Sequence, residues 1–389
     1  MHPYGLTPPE AAVAEAAAAI AGNVARKHAA EVDSNARFPS ESMQALAGEG
    51  FWGLTVPKPL GGKGEGPRGF AAAVEELAQG CGSTAMVYIM HISGAQAIGS
   101  SAILEGRDEL LGEIAAGRHL TTLAFSERGS RSHFWAPVSK LAPNGEATFT
   151  TSALKSWVTS AAHADSYVSS AQKPGAASAL ESTVYLARRP GIGLRVEGGF
   201  DGLGLRGNDS APVVLENFHV RRGDLISELG EGPKTMLEVV LPWFAIGTAA
   251  MANGLCRAAV ATTAQHLQQA GFEHLGSRLR DLPTLRARVA EMSARTEQAR
   301  AMLGFALAQM TSGAPETPLN ILQSRMLSLQ AAVDVTDLAM KACGGAAFSR
   351  HLGVERLFRD ARAGWVMAPT VDQLQDFIGR VLTGLPLFD

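Results

Sequence analysis

The sequence predicts a mainly α-helical chain interrupted by one central β domain. Long Ala-rich periodic segments occupy both ends, and short β-branched runs bounded by Gly, Pro, Asn and Asp fill the middle. No strand alternates with helices in the β–α–β manner, so a doubly wound nucleotide fold is excluded. At 389 residues, and with roughly 100 to 200 residues per domain as a prior, the pattern divides into helices over 1–117, strands over 118–228 and helices over 229–389.

In the first part, "EAAVAEAAAAIAGNVARKHAAEV" reads as an Ala-rich helix and not as the basic start plus apolar core of a leader. A turn follows at "ARFPSESMQALAGEGFWGL", then the Gly-rich "PLGGKGEG", then apolar periodic segments through Met90 and Leu111. The glycines of 61–66 have no strand before them, which speaks against a phosphate cradle.

The middle part holds "LTTLAFSE", "ATFTTSALKSWVTS", "DSYVSSAQ", "STVYLARR", "GLRVEG" and "APVVLENFHV". Strands at that spacing predict a small antiparallel sandwich or barrel.

Helices return after Gly230. "VVLPWFAIGTAAMANGLC", residues 239–256, carries no charge over 18 residues, which meets the length test for a membrane span. Its Pro242, Asn253, Ala and Gly fit a helix buried on all sides better. Near the end, "WVMAPTVDQL" (365–374) places Gln373 three residues after Thr370, a capping-box spacing that predicts a helix start there. Ala368, next to Pro369, is biased to an extended conformation.

Lys and Arg are scattered and the net charge is −3, so no basic footprint argues for nucleic acid. A small-molecule or protein partner fits better. Cys81, Cys256 and Cys343 are too few and too far apart for a disulfide framework or a zinc site, which points to a reducing, cytoplasmic setting and to no metal. Walker, H-E-x-x-H and G-x-S-x-G patterns do not occur.

Four stretches together resemble the acyl-CoA dehydrogenase family over essentially the whole chain. "FPSESMQALAGEGFWGLTVPKPLGGKG" is similar to its amino-terminal signature, and "LAFSERGSRS" sits where it has Thr-Glu-Pro-Gly-x-Gly-Ser-Asp. "KSWVTSAAHADSYV" resembles its Lys-x-Trp-Ile-Thr-Asn segment, and "CGGAAFSRHLGVERLFRDARA" its Gly-Gly pair and Glu-Arg-x-x-Arg-Asp helix. The resemblance implies an amino-terminal helical domain, a middle β-barrel or sandwich and a carboxy-terminal four-helix bundle. It also implies FAD between the last two, an acyl-CoA or related thioester as substrate, and a homo-oligomer, tetramer or dimer.

The same resemblance assigns roles. Phe125 and Ser126 fall on the strand that lines the flavin, and Trp157 and Thr159 where an indole stacks and a hydroxyl is aimed at flavin N5. Ser132 matches the serine beside the pantetheine arm, with Arg131 and His133 replacing a Gly and an Asp. Gly344 and Gly345 match the pair that lets a neighbouring subunit's adenine approach the backbone. Thr370 matches a threonine that holds FAD at a helix start.

The pattern breaks at the base. Removing an α-proton while hydride leaves the β-carbon calls for a carboxylate. The family's Glu-Gly-Thr run corresponds here to Ala368, Pro369 and Thr370, and the alternative site on the first long carboxy-terminal helix corresponds to Phe244, on the substrate side. Glu238, Asp372 and His91 are the remaining candidates for the base. In "QQAGFEHLGSRL", Phe272 and Leu275 stand where the family has an Arg and a Phe, and Lys341, where a Gln is usual, is a substitute source of charge for FAD.

Three readings follow: an FAD-dependent desaturase of acyl thioesters with a displaced base, a flavin-dependent monooxygenase on the same fold supplied by an electron donor such as a flavin reductase, or a non-catalytic subunit.

Overall fold

A computed structural model describes residues 2–131 and 133–388. Helices come first: α1 (Pro8–Ile20), running through a π-helical turn into α2 (Arg26–Ser34), then α3 (Ser40–Gly48), α4 (Pro67–Gly80), α5 (Gly82–Ser100) and α6 (Arg107–Ala115). α4 and α5 are buried over most of their length, which their runs of Ala, Val, Ile and Met permit.

The strands are β1 (Thr121–Ala124), β2 (Ala142–Pro143), β3 (Thr148–Val158), β4 (Ser166–Gln172), β5 (Ser182–Arg188), β6 (Leu194–Val196) and β7 (Ala211–Arg221). They form two sheets, β1-β4-β5 and β2-β3-β7-β6. The second is antiparallel throughout, as expected, but β1 pairs with β4 in parallel. The cause is the route of the chain: after β1 it leaves to build β2 and β3 of the other sheet, then re-enters beside β1 in the same direction. Between the sheets lie Phe149, Val158, Tyr167, Tyr185, Leu215 and Phe218. β4 is buried on both faces because Val168, on its other side, joins the helical core.

The last part contains the short α7 (Gly232–Lys234), which continues through a π-helical stretch into α8 (Leu241–Gln269). A small hairpin, β8 (Gly271–Phe272) and β9 (Ser277–Arg278), leads to α9 (Pro283–Ser312) and α10 (Thr317–Cys343). α11 (Gly345–Phe348), α12 (Val354–Val366) and α13 (Val371–Leu382) close the chain. Among the described residues one helix, Gly232–Gln269, is long and apolar enough to cross a membrane, yet 72% of its apolar window lies inside the fold. It is a core helix, packed against α4, α5, α9 and α10.

Charged groups tie the parts together. Glu75 of α4 is fully buried and accepts from Arg257 of α8 at 2.8 Å, from Arg300 of α9 at 3.0 Å and from the Tyr4 hydroxyl. On α12, Arg359 reaches both oxygens of Asp33 at 2.7 and 2.6 Å and the Leu203 carbonyl at 3.1 Å. Beside it, the buried Asp360 accepts from the Leu205 amide at 2.6 Å. Gly204 lets this loop touch the helix, since a Cβ there would stand 2.3 Å from the Arg359 carbonyl oxygen.

His91 joins α5 to β1 in the same manner. It is fully buried, its Nδ1 accepts from the Thr121 amide at 3.2 Å, and its Nε2 lies 3.1 Å from the Trp52 carbonyl. An amide that donates to Nδ1 leaves the proton on Nε2, which donates to Trp52. Burial pushes the imidazole down to about 4. The structure thus gives His91, expected among the candidate bases, a partner at each ring nitrogen, which speaks for a packing role.

Two outcomes test these ties. Arg359→Met strands the mostly buried Asp33 carboxylate and should lower the unfolding free energy by about 3 kcal/mol, part of which Asp33→Asn in the same background should recover in denaturant titrations. For His91, an unfolded chain takes up a proton below its ordinary value of 6.5 that the folded state refuses until about 4, so stability is lost as pH falls through that window. Between pH 7 and pH 5 the wild type should lose about 2 kcal/mol more than His91→Gln; equal losses would contradict the buried neutral ring.

Candidate active site

Backbone pairing brings Phe125, Ser126, Trp157 and Thr159 together. The Ser156 amide donates to the Ser126 carbonyl at 2.9 Å, and the Thr122 hydroxyl donates to the Thr159 carbonyl at 2.9 Å. A register shift in β3 between Lys155 and Val158 turns Trp157 out of the ladder with φ +56°. Its indole is 70% exposed and has Phe200 edge-on at 6.5 Å. Thr159 is buried, its hydroxyl 3.3 Å from that of Ser210.

A large exposed indole on a left-handed residue is costly unless something planar covers it. The surface thus fits the flavin ring that the resemblance implies. Phe125, buried, packs on Phe134, which meets Trp135, and Trp135 meets Phe377 of α13 at 5.6 Å. This ring chain holds the β domain against the helix that begins at Thr370.

The loop after Ser126 is fixed by a buried ion pair absent from the sequence expectations. Lys155 donates to Glu127 at 2.6 Å and to the Ser170 carbonyl at 2.6 Å, and Glu127 accepts from the Val138 and Ser139 amides at 2.7 and 2.8 Å. Both charges are hydrogen-bonded, Lys155 through two bonds and Glu127 at each oxygen, which offsets the cost of burial. Arg131 on this loop is exposed with φ +55°. Ser132 lies outside the described residues.

Thr370 caps α13 as its spacing predicts: Gln373 donates its amide to the Thr370 hydroxyl at 3.3 Å, and its side chain accepts from the Thr370 amide at 3.0 Å. Gly344, at φ +56°, and Gly345 have no atom within 4 Å of where a Cβ would lie, so they face open space and not their own chain. Lys341 is exposed and paired with Asp337 at 2.9 Å, which spends part of the charge that was expected to serve FAD.

Around the base positions the polar group is a cation. Arg325 of α10 is fully buried and its Cζ lies 4.9 Å from the Phe244 ring centre. Its Nε donates to the Thr248 hydroxyl at 3.1 Å and one terminal nitrogen, Nη2, to the Met367 carbonyl at 3.2 Å. Nη1 has no partner, and among the described residues no carboxylate pairs with this guanidinium. Burial alone pushes it down to about 9. Glu238 and Asp372 are both exposed, one on the π-helical stretch before α8 and the other in the first turn of α13.

Sequence reasoning missed Arg325, although a signal exists. It falls in the stripe Ile321, Leu322, Ser328, Leu329 and Ala332, so a helical period places a cation on the core face.

Comparison with known proteins agrees with this arrangement. Residues 7–118 match the profile "Acyl-CoA dehydrogenase, N-terminal domain" and residues 230–382 the profile "Acyl-CoA dehydrogenase, C-terminal domain". The short-chain specific acyl-CoA dehydrogenase of Bos taurus mitochondria is 26% identical over 86% of this chain and 80% of its own. The probable acyl-CoA dehydrogenase FadE25 of Mycobacterium tuberculosis is 27% identical over 88% and 87%. Among solved structures, butyryl-CoA dehydrogenase of Megasphaera elsdenii superposes with a TM-score of 0.92 at 21% identity over 97% of this chain and 99% of its own. The prolyl acyl carrier protein oxidase AnaB does so with a TM-score of 0.87 at 18% identity over 97% and 100%. With both terminal domains matched, over more than half of its length, the chain belongs to the acyl-CoA dehydrogenase family of FAD-dependent oxidoreductases.

Proposed function

We propose that the protein oxidises an acyl thioester across its α and β carbons, with the proton acceptor displaced from both usual positions. The observation that carries this reading is the pairing of the exposed Trp157 indole with the buried Thr159 hydroxyl on one β-domain surface. FAD, when bound, supplies the hydride acceptor for such a reaction. Trp157 would cover the ring and exclude water, Phe125 and Ser126 would line it, and Thr159 would offer a hydrogen bond where charge develops.

Thr370 and the start of α13 would take the pyrophosphate, and Arg131 and Ser132 would border the thioester arm. Lys341, Gly344 and Gly345 would serve the adenine half of a second copy. Their exposure, together with that of Phe348 at 87% and Val366 at 76%, supports a homo-oligomer, dimer or tetramer. The hydride leaves the β-carbon and the α-proton passes to a carboxylate. Of the candidate bases, Glu238 and Asp372 are the carboxylates, and both are exposed, whereas His91 has both nitrogens engaged.

A second reading, oxygen-dependent chemistry on the same fold with reduced flavin supplied by a reductase, is favoured by one observation. Both base positions carry apolar side chains, Ala368 and Phe244, next to a buried cation. An oxygenase has no need of an α-proton base.

Anaerobic mixing of the FAD-loaded protein with acyl-CoAs of graded length separates the two. Dehydrogenation predicts that one of them bleaches the flavin, and that Asp372→Asn or Glu238→Gln slows the bleaching by about 10² to 10⁴ fold. Bleaching by none, with substrate oxidised only when reduced flavin and oxygen are present, would replace this reading by the second. Full activity in both variants would remove both carboxylates as bases.

A further inference from the structure

The buried guanidinium at the base positions carries a second inference, which rests on the thioester reading above. Arg325 lies between α8 and the segment that leads into α13, against Phe244 on one side and Met367 on the other. A charge taken fully out of water costs several kcal/mol unless a counter-charge or a complete set of hydrogen bonds compensates it. Among the described residues Nη1 has no partner. Ser328, three residues on and thus on the same face of α10, is likewise buried with an unpartnered hydroxyl.

The two residues share one face of α10, and each leaves a buried polar atom that can still take a partner. Phe244, against which the guanidinium packs, and Met367, whose carbonyl it meets, are only half-buried. Beside the segment to which the resemblance assigns a carboxylate, this chain presents a buried cation.

We propose that Arg325, with Ser328, binds a carboxylate carried by the acyl portion of the substrate, so that the thioesters taken by this protein are those of dicarboxylic acids. A planar guanidinium with a free nitrogen suits a carboxylate, and a low-polarity site strengthens the pairing. The carboxylate would supply the counter-charge that the chain itself lacks. Neutral acyl groups of equal length would leave the cation uncompensated and bind more weakly.

Isothermal titration calorimetry of the FAD-loaded protein with matched pairs tests this: succinyl-CoA against butyryl-CoA, and glutaryl-CoA against pentanoyl-CoA. In at least one pair the dicarboxylic thioester should bind roughly tenfold tighter, a difference of about 1.4 kcal/mol. In Arg325→Met that ratio should fall to about threefold or less. Should Arg325→Met not fold, Arg325→Lys takes its place. It retains the charge but loses the fork, so the ratio should drop at least about threefold, and an unchanged ratio would overturn the assignment. Neutral thioesters that bind as tightly as their dicarboxylic partners in the wild type, or a preference that persists in folded Arg325→Met, would also overturn it while leaving the thioester reading intact. If none of the four binds, the thioester reading fails and this assignment with it.

Discussion

The contact of Arg359 and Asp360 with their partners fixes the positions of all three parts of the molecule. One residue of α12 holds the Asp33 carboxylate at the end of α2, and the next holds the Leu205 amide of the β domain. Burial pushes Asp360 up to about 6 despite the nearby arginines, so the site spends folding energy to keep an acceptor where the Leu205 amide needs one. Rigidity at this point is transmitted along the chain. α12 ends at Val366, and the next four residues are Met367, Ala368, Pro369 and Thr370. The segment at which the family places its base is therefore delivered by the same helix that clamps the other two parts.

From that fixed point the two halves of the site diverge in chemistry. The half built on the β domain retains what a flavin ring needs, with Trp157 turned outward by a bulge and Thr159 buried beside it. Its supporting ion pair, Lys155 with Glu127, is hydrogen-bonded at both ends and fixes the loop that carries Arg131. The half built on α8, α10 and the 367–370 segment presents apolar side chains around a buried cation, Arg325, where the resemblance leads one to expect a carboxylate.

Much of the fold was legible because it rests on local rules. The capping box at Thr370, the charge-free run of α8 and the short β-branched segments each follow from spacing and composition, and each is found where those rules put it. The parallel pairing of β1 with β4 was not legible, because it depends on the path of the chain between sheets and not on either strand. His91 reads in sequence as an isolated titratable group in an apolar helix. Only the tertiary approach of Thr121 and Trp52 reveals that its nitrogens are occupied. Arg325 lay within a helix whose period was evident, yet its isolation from every carboxylate is a fact of packing. Lys341 was read as a free charge, and its neighbour one turn back, Asp337, answers for part of it.

The central claim is that an uncompensated cation, Arg325, stands beside the segment to which the resemblance assigns a carboxylate. The melting temperature of Ala368→Glu, measured against Ala368→Gln as a control of equal shape, addresses it most directly. A carboxylate returned to that position would meet the Arg325 guanidinium and relieve its burial, and each 1 kcal/mol gained raises the midpoint by about 2 to 4 °C in a domain of 150 to 250 residues. The account predicts that the Glu variant melts several degrees above the Gln variant, by roughly 4 °C or more. A Glu variant that melts at or below its Gln control would contradict it.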